Sequence, residues 1–428
     1  MVEQQLTSHQ ADTEDQLVSC IEGGEKRVIL KGSAGVGKTF LVSHLVKRLA
    51  RNYRINSHYN NGKVYATAPT NKALAVLQGK ITEGASFKTV HAALNLVRDV
   101  NSRTGIVSYV PSKSTRREND FPVCRAAIVD ECSMLNKQLV EMLQDYPFPI
   151  IFVGDDKQIN PVNELDTPIF NTSYPQFELT EIIRQGKGNP IIDLSQDIDM
   201  IYFKMPVLVD GKGYTYNNNK TYLISELAEV NGTDEMKYLA WTNNDVDMMN
   251  RLVRERRYGK PKKIEKSETV VFNAPLGTYY TNQEVKVHDI SIVTDYISVP
   301  RSSTKFDAIN KPINGTDKVR MKFYVINDSF RVIHEHSEEM FRILSHSIKE
   351  NCKKFGWNWK GYYYFVEAFA DLKYNHAISV HKSQGSTYKQ TIINISDIDL
   401  NKNVEEKRRL LYTAITRASN LVILNNVK

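Results

Sequence analysis

The sequence predicts an α/β protein of two lobes, each interrupted by a smaller insertion. Three observations carry that expectation. Short apolar runs alternate with helical patterns in the first third, which argues for a parallel sheet with crossover helices. The same alternation begins again after Arg184 and returns near the end of the chain. Between these stretches the pattern changes twice, once to a polar, turn-rich segment and once to a longer β-type segment. The 428 residues, 41% hydrophobic and 25% charged, have ordinary globular composition and room for two to four domains.

The first lobe is expected over residues 1–92 and 123–180, with strands at RVIL, VYATA, RAAIVD and PIIFVG. After RVIL comes KGSAGVGKTF (31–40), with Gly32, four residues, then Gly37-Lys38-Thr39. This spacing is that of a phosphate-binding loop, whose glycines let backbone N–H groups turn toward phosphate oxygens. Leu41, Val42, Leu45, Val46 and Leu49 then recur at helical spacing. A strand leads in and a helix leads out, so the helix N-terminus faces the anion. The polar, basic segment 93–122, with Arg103-Thr104-Gly105 at a hairpin tip, is expected as a small insertion. The second lobe is expected over 181–260 and 374–428, with strands KYLAWT, AISV, TIINIS and LVIL and helices over 245–258 and 404–417. Residues 261–373 read as an inserted β-rich module with ETVVF, QEVKVHDISIV and KVRMKFYVI, a helix near 337–355, and the aromatic stretch WNWKGYYYFVEAF.

The chemistry expected at the loop is that of a nucleoside triphosphate with Mg²⁺. Lys38 would neutralise phosphate, and the Thr39 hydroxyl would take a metal position. IVDECSM (128–134) is an apolar strand ending in Asp130-Glu131, and ligands of open α/β sheets sit at the carboxyl ends of strands. Asp130 would hold the metal and Glu131 would orient or deprotonate the attacking water. Gln158 follows the strand IIFVG. Spacing alone leaves it either a sensor of the γ-phosphate or part of a surface turn with Gly154, Asp155 and Asp156. Arg184 and Arg417, both encoded outside the first lobe, are either ordinary surface arginines or residues that reach the transferring phosphate across a cleft.

These motifs form an ordered set: Gln10 in LTSHQ, KGSAGVGKT, ATAPTNKA, TVHAAL, VDECSM, VGDDKQINPV, LTEIIRQ, AISVHKSQGST and YTAITRA. The set resembles superfamily 1 helicases of the RecD-like, 5′→3′ group over nearly the whole chain. The resemblance implies two RecA-like lobes, a pin-like hairpin insertion in the first and an SH3-like insertion in the second. It implies that Gln10 reads the adenine edge, with Gly32, Gly35, Gly37, Lys38, Thr39 and Phe40 around ATP. Lys38, Glu131, Gln158, Arg184 and Arg417 would act in hydrolysis, and Thr39 and Asp130 would hold the metal. It assigns Thr67, Pro69, Thr70, Thr89, His91, His381, Lys382, Ser383 and Gln384 to DNA, although the two histidines could equally be satisfied core residues. The chain departs from the group at Asn160, where relatives place proline, and at TNQE (281–284), which lacks a glycine that relatives carry. Tyr109 and Phe121 are the candidate aromatics for the base of the pin. The implied module also reaches back to brace the pin, a third role for Trp357, Trp359 and Tyr362–Tyr364 beside core packing and DNA contact.

The implied activity is an ATP-dependent helicase or translocase on single-stranded and tailed duplex DNA, working with replication or recombination proteins. Its alternatives are a translocase that strips proteins from DNA and an ATP-switched nucleic-acid-binding scaffold. A net charge of +7 suits a polyanionic partner. Lys113, Arg116 and Arg117 could steer a duplex or simply be a solvated loop. The four cysteines lack C-x-x-C spacing, and a reducing cytoplasm (the host's, for a phage protein) is expected. The polar, acidic N-terminus is not a signal peptide, and no apolar run is long enough to span a membrane.

Overall fold

The computed structural model describes residues 5–52, 63–112, 121–161, 164–181, 189–230, 234–307 and 311–425. The chain forms two compact units. One comprises Met1–Leu96, Pro111–Val253 and His376–Lys428; the other comprises Val97–Val110 and Arg254–Asn375.

The first unit holds two RecA-like lobes, each built on a six-stranded sheet. In the first lobe the strand order is Ala85–Thr89, Val64–Ala68, Ala126–Val129, Ile150–Gly154, Arg27–Gly32, Gln176–Leu179, and all neighbours are parallel. Strands buried on both faces read as continuous apolar runs, which is why RVIL and PIIFVG were visible in the sequence. Alternation still sorts their side chains. Val28 and Leu30 join one core with the helix Lys38–Arg51, while Ile29 packs on the opposite face with Val129 and Phe152. That helix buries Leu41, Val42, Leu45, Val46 and Leu49, the five residues its periodicity predicts, and each contributes about 1.5–3 kcal/mol. The second lobe has the order Ala377–Ser379, Met236–Ala240, Tyr388–Asn394, Ala418–Asn425, Lys212–Tyr216, Val207–Val209. It is parallel apart from its antiparallel last strand.

Among the described residues, the second unit contains two three-stranded antiparallel sheets, a two-stranded hairpin and two helices. Thr269–Phe272 lies between Glu284–Lys286 and Leu372–Tyr374, and the long hairpin Ile290–Phe306 with Pro312–Ile326 is continued by Phe330–Ile333. QEVKVHDISIV is therefore two strands, parted at Val287–Asp289. Asn282 takes the left-handed conformation (φ 66°) in the turn of TNQE, a conformation asparagine tolerates. The aromatic stretch is a helix, Trp359–Val366, not a strand. Asn358 caps it by accepting a hydrogen bond from Lys360 N–H, and Trp359 and Phe365 are buried. Tertiary packing here overrides the β-preference of tyrosine and tryptophan.

The hairpin Leu96–Val100 and Val107–Pro111 turns at the expected tip, and that tip is held by the aromatic helix. Trp359 N–H donates to the Ser102 carbonyl (3.0 Å), the Tyr363 hydroxyl donates to the Gly105 carbonyl (3.1 Å), and Arg98 pairs with Glu367 (2.7 Å). Tyr109 is exposed on this hairpin. Phe121 is not part of it: it is fully buried in the first lobe, edge-on to Tyr65 and Phe148 at 5.4 and 5.3 Å. An aromatic ring with an entirely apolar setting gains more from the core than from a solvent-facing wedge.

Candidate active site

Within the first unit, a cleft of about 660 Å³ opens between the carboxyl ends of the first lobe's strands and the second lobe. Ala34, Gly35, Gly37, Lys38, Thr39 and Phe40 line one wall. Gln10, Asp130, Glu131 and Gln158 adjoin them, and Ser386, Thr416 and Arg417 line the side of the second lobe. Of the residues expected at the nucleotide, Gly32 alone among those described does not line the cleft. A Cβ there would sit 2.8 Å from a Val36 methyl and 3.0 Å from the Leu179 carbonyl oxygen, so glycine permits the close packing beneath the loop. Gly37 (φ 81°) forms the entry to the helix in a conformation that disfavours other residues. Arg184, Lys113, Arg116 and Arg117 lie outside the described residues.

Lys38 Nζ donates to the carbonyls of Gly32 (2.5 Å) and Ser33 (2.9 Å) within its own loop. Asp130 follows the strand Ala126–Val129, and its N–H is held by the Thr67 carbonyl (2.9 Å). Burial and the neighbouring Glu131 carboxylate push the Asp130 carboxyl up to about 7, and the Lys38 charge opposes that rise. A divalent cation would offset that cost, and the donor set, a carboxylate with the Thr39 hydroxyl, is oxygen-only, as magnesium requires. Glu131 sits in the left-handed region (φ 50°, ψ 40°), a conformation that costs a non-glycine residue about 1–2 kcal/mol. Gln158 is 3% exposed, and its Oε1 has no hydrogen-bond partner among the described residues. A buried amide oxygen without a partner is a ready acceptor for a water.

Gln10 is fixed by a capping box at the helix Ser8–Glu22. Thr7 N–H donates to Gln10 Oε1 (3.2 Å), Gln10 N–H donates to the Thr7 hydroxyl (3.3 Å), and Gln10 Nε2 donates to the Val36 carbonyl (3.4 Å). Arg417 lies two residues past the helix Val404–Ile415 rather than on it. It is buried, donating to the carbonyls of Thr413 and Ser386 at 3.1 and 3.2 Å.

The residues expected at DNA do not line this cleft but cluster at strand-to-helix junctions. Thr70 and Thr89 each cap a helix, accepting from the N–H of Ala73 and Ala92, and Ser379, which was not in the expected set, caps another by accepting from Lys382 N–H. Pro69 precedes the first of these caps, His91 lies in the short helix Val90–Ala93, and His381 and Lys382 lie in Val380–Ser383. Burial lowers the pKa of both His91 and His381, so each is a neutral hydrogen-bonding group at pH 7. Two expectations change. Thr67 is 1% exposed with its hydroxyl donating to the Ile128 carbonyl (3.0 Å), and Ser383 is 0% exposed with its hydroxyl donating to the Val380 carbonyl (2.7 Å). Both hydroxyls hold backbone rather than face a groove. Gln384 is also buried; its Nε2 donates to the Ile159 carbonyl of the first lobe (3.4 Å). Asn160, in place of proline, ties down its loop by donating to the Leu165 carbonyl and accepting from Thr167.

Residues 20–164 match the sequence model of an AAA domain, and residues 374–425 match that of a UvrD-like helicase C-terminal domain. An uncharacterized protein of Acanthamoeba polyphaga mimivirus, R530, is 24% identical over 492 aligned residues, covering 95% of this chain and 97% of that protein. The ATP-dependent DNA helicase dda of Enterobacteria phage T4 is 26% identical over 446 residues, covering 96% and 97%. The crystal structure of a Bacteroides Pif1 helicase in complex with ADP-AlF3 and ssDNA superposes with a TM-score of 0.51 at 15% identity, covering 98% of this chain and 92% of that one. That last likeness is one of fold. Among the described residues, no helix is long and apolar enough to cross a membrane.

Asp155, Arg409 and Tyr412 adjoin this site, and sequence reasoning gave none of them a role in it. Asp155 is 1% exposed and accepts from the Tyr412 hydroxyl (2.8 Å), while Arg409 Nη1 donates to the carbonyls of Asp156 (2.6 Å) and Gln158 (2.8 Å). Asp155 and Tyr412 stand within quoted motifs and Arg409 just before one, but nothing local marks them, because these partners lie more than 250 residues apart.

Proposed function

We propose that this protein is an ATP-driven motor on single-stranded DNA that couples hydrolysis to duplex unwinding. The observation that carries this reading is the shared cleft, with Lys38, Asp130 and Glu131 on one lobe and Arg417 on the other. A nucleotide held by the first lobe is thereby exposed to an arginine that only the second supplies. Lys38 would exchange its loop carbonyls for phosphate oxygens, and Arg417 would stabilise charge as the phosphoryl group leaves. Glu131 would take the proton of the attacking water, which Gln158 Oε1 orients. Thr39 and Asp130 would hold magnesium, which when bound neutralises phosphate charge. Closure and opening of such a cleft is a known hinge motion.

The helix N-termini capped by Thr70, Thr89 and Ser379 would offer N–H groups to the backbone phosphates of the strand, with His91, His381 and Lys382 beside them. Such contacts read no sequence. The RecD-like grouping and 5′→3′ movement rest on the motif set; the likeness to the phage protein over nearly the whole chain supports a DNA helicase. The hairpin 96–111 would act as the pin, with Tyr109 as its exposed aromatic.

The deciding experiment is unwinding of 5′-tailed against 3′-tailed duplexes, with Lys38→Ala as control. The expected outcome is ATP-dependent unwinding of the 5′-tailed substrate alone, and a Lys38→Ala protein that binds the strand but has lost its DNA-stimulated ATPase. Unwinding of the 3′-tailed substrate alone would overturn the polarity; unchanged turnover in the variant would overturn the site.

A further inference from the structure

The helix Val404–Ile415 of the second lobe does more than lead to Arg417. One turn and a half before that arginine, the Tyr412 hydroxyl lies between two parts of the first lobe. It accepts from the backbone N–H of Ala34, inside the phosphate loop (3.2 Å), and donates to Asp155 Oδ2, in the turn after the strand Ile150–Gly154 (2.8 Å). A phenol has one proton to give, and here both its donor and an acceptor position are committed to the opposite lobe. Tyr412 is 4% exposed and Asp155 1% exposed, so neither bond is diluted by solvent.

The same turn carries Gln158. Asp155 shapes it, accepting from Lys157 N–H at Oδ1 (3.1 Å) and from Gln158 N–H at its carbonyl (3.3 Å). From the same helix Arg409 takes the carbonyls of Asp156 and Gln158, and Gln384 takes that of Ile159. Backbone groups throughout this turn are thus held from the second lobe, while Gln158 lines the cleft and its buried Oε1 has no hydrogen-bond partner among the described residues. A tyrosine buried only for packing needs one partner for its hydroxyl. Tyr412 has two, from segments 121 residues apart in sequence: Ala34 lines the cleft, and Asp155 stands in the turn whose Gln158 lines it.

We propose that Tyr412 is a positioning residue that couples the phosphate loop to the turn carrying Gln158, so that a shift of the loop at Ala34 is passed to Asp155 and to the second lobe. This inference rests on the reading of the cleft as an ATPase site. It touches no reacting atom; it sets where Gln158 and the helix leading to Arg417 stand when nucleotide fills the loop.

The test uses the full-length protein and Tyr412→Phe, which keeps the ring and removes only the hydroxyl. In steady-state ATPase assays with saturating single-stranded DNA, kcat is expected to fall about tenfold while KM for ATP moves less than about twofold. In hydrogen exchange followed by mass spectrometry, a non-hydrolysable ATP analogue is expected to protect peptides spanning 31–40, 154–161 and 404–417 in the wild type. In Tyr412→Phe it is expected to protect 31–40 but no longer 404–417. Arg408→Lys, on the same helix at a residue that pairs with Asp199 rather than with the turn, is expected to keep the protection of 404–417. Equal protection of 404–417 in wild type and Tyr412→Phe would overturn the coupling. A wild-type protein whose turnover ignores DNA would instead overturn the motor, and the exchange measurement would still decide the role of Tyr412.

Discussion

Arg417 and Asp130 show how much a single residue of this cleft can be asked to do. Arg417 lines the cleft from the second lobe yet spends its hydrogen bonds on Thr413, Thr416 and Ser386 of its own lobe. If it meets the leaving phosphate only during reaction, Arg417→Ala should lower DNA-stimulated kcat by about 10³-fold, the scale of an arginine finger, with KM for ATP changed by less than about threefold. Equal losses in both would remove that role. Asp130 carries a stability penalty. Its folded-state pKa, about 7, lies above the unfolded value, so the unfolded chain gives up its proton first as pH rises. Stability from this group is therefore full in acid and lost as pH climbs from the ordinary carboxylate range through about 7. Asp130→Asn should raise the apparent Tm by about 2 °C or more at pH 8 without magnesium, while abolishing magnesium-dependent hydrolysis. A variant no more stable than wild type at pH 8, or one gaining most at pH 5, would contradict the assignment. These roles were legible to different degrees. Lys38 and Asp130 stand at fixed offsets from local motifs, whereas Tyr412 and Asp155 become neighbours only through the fold, across 257 residues.

At the scale of elements, the sequence was clearest where one periodicity dominates. The helix Lys38–Arg51 and the strands around it follow from apolar spacing because each faces a single uniform core. It was least clear where chemistry competes with period. The stretch 357–369 is rich in residues that favour strands, yet its rings pack as a helix against the hairpin and the long sheet. Short edge strands such as Val207–Val209 carry too few residues for a pattern to appear, and the helix Ser8–Glu22 hides its start in the Thr7–Gln10 capping box. The hairpin supplies a prediction of its own. Gly105 has φ 72°, and a Cβ there would fall 2.3 Å from the Trp359 ring. Gly105→Ala should therefore dislodge the tip from the aromatic helix. Unwinding of a 5′-tailed duplex should drop at least about tenfold while single-strand-stimulated ATPase stays within about twofold, because the cleft is built by other elements. Parallel losses in both assays would mean that the hairpin does not act as the pin.

Across the whole molecule, a motor that holds DNA by phosphates must respond to salt. Each phosphate neutralised releases counterions, with a slope of about −0.7 per contact for single strands, so a few contacts imply roughly a tenfold loss of affinity between about 50 and 200 mM salt. A flat response, measured by fluorescence anisotropy with a labelled oligonucleotide, would argue against a backbone-tracking groove. The two-lobed plan with two interruptions could be read from alternating patterns, but which pieces belong together could not. Residues 97–110 are written inside the first lobe and fold with residues 254–375. The cause is a handful of contacts, Trp359 on Ser102 and Gly105, Tyr363 on Gly105 and Arg98 on Glu367, none with a local signature. For anyone recombining such proteins, the heritable cassette is thus discontinuous. A hairpin transplanted from one relative to another without its matching aromatic helix would arrive without its socket, and the two segments should be exchanged, and should drift in evolution, as one.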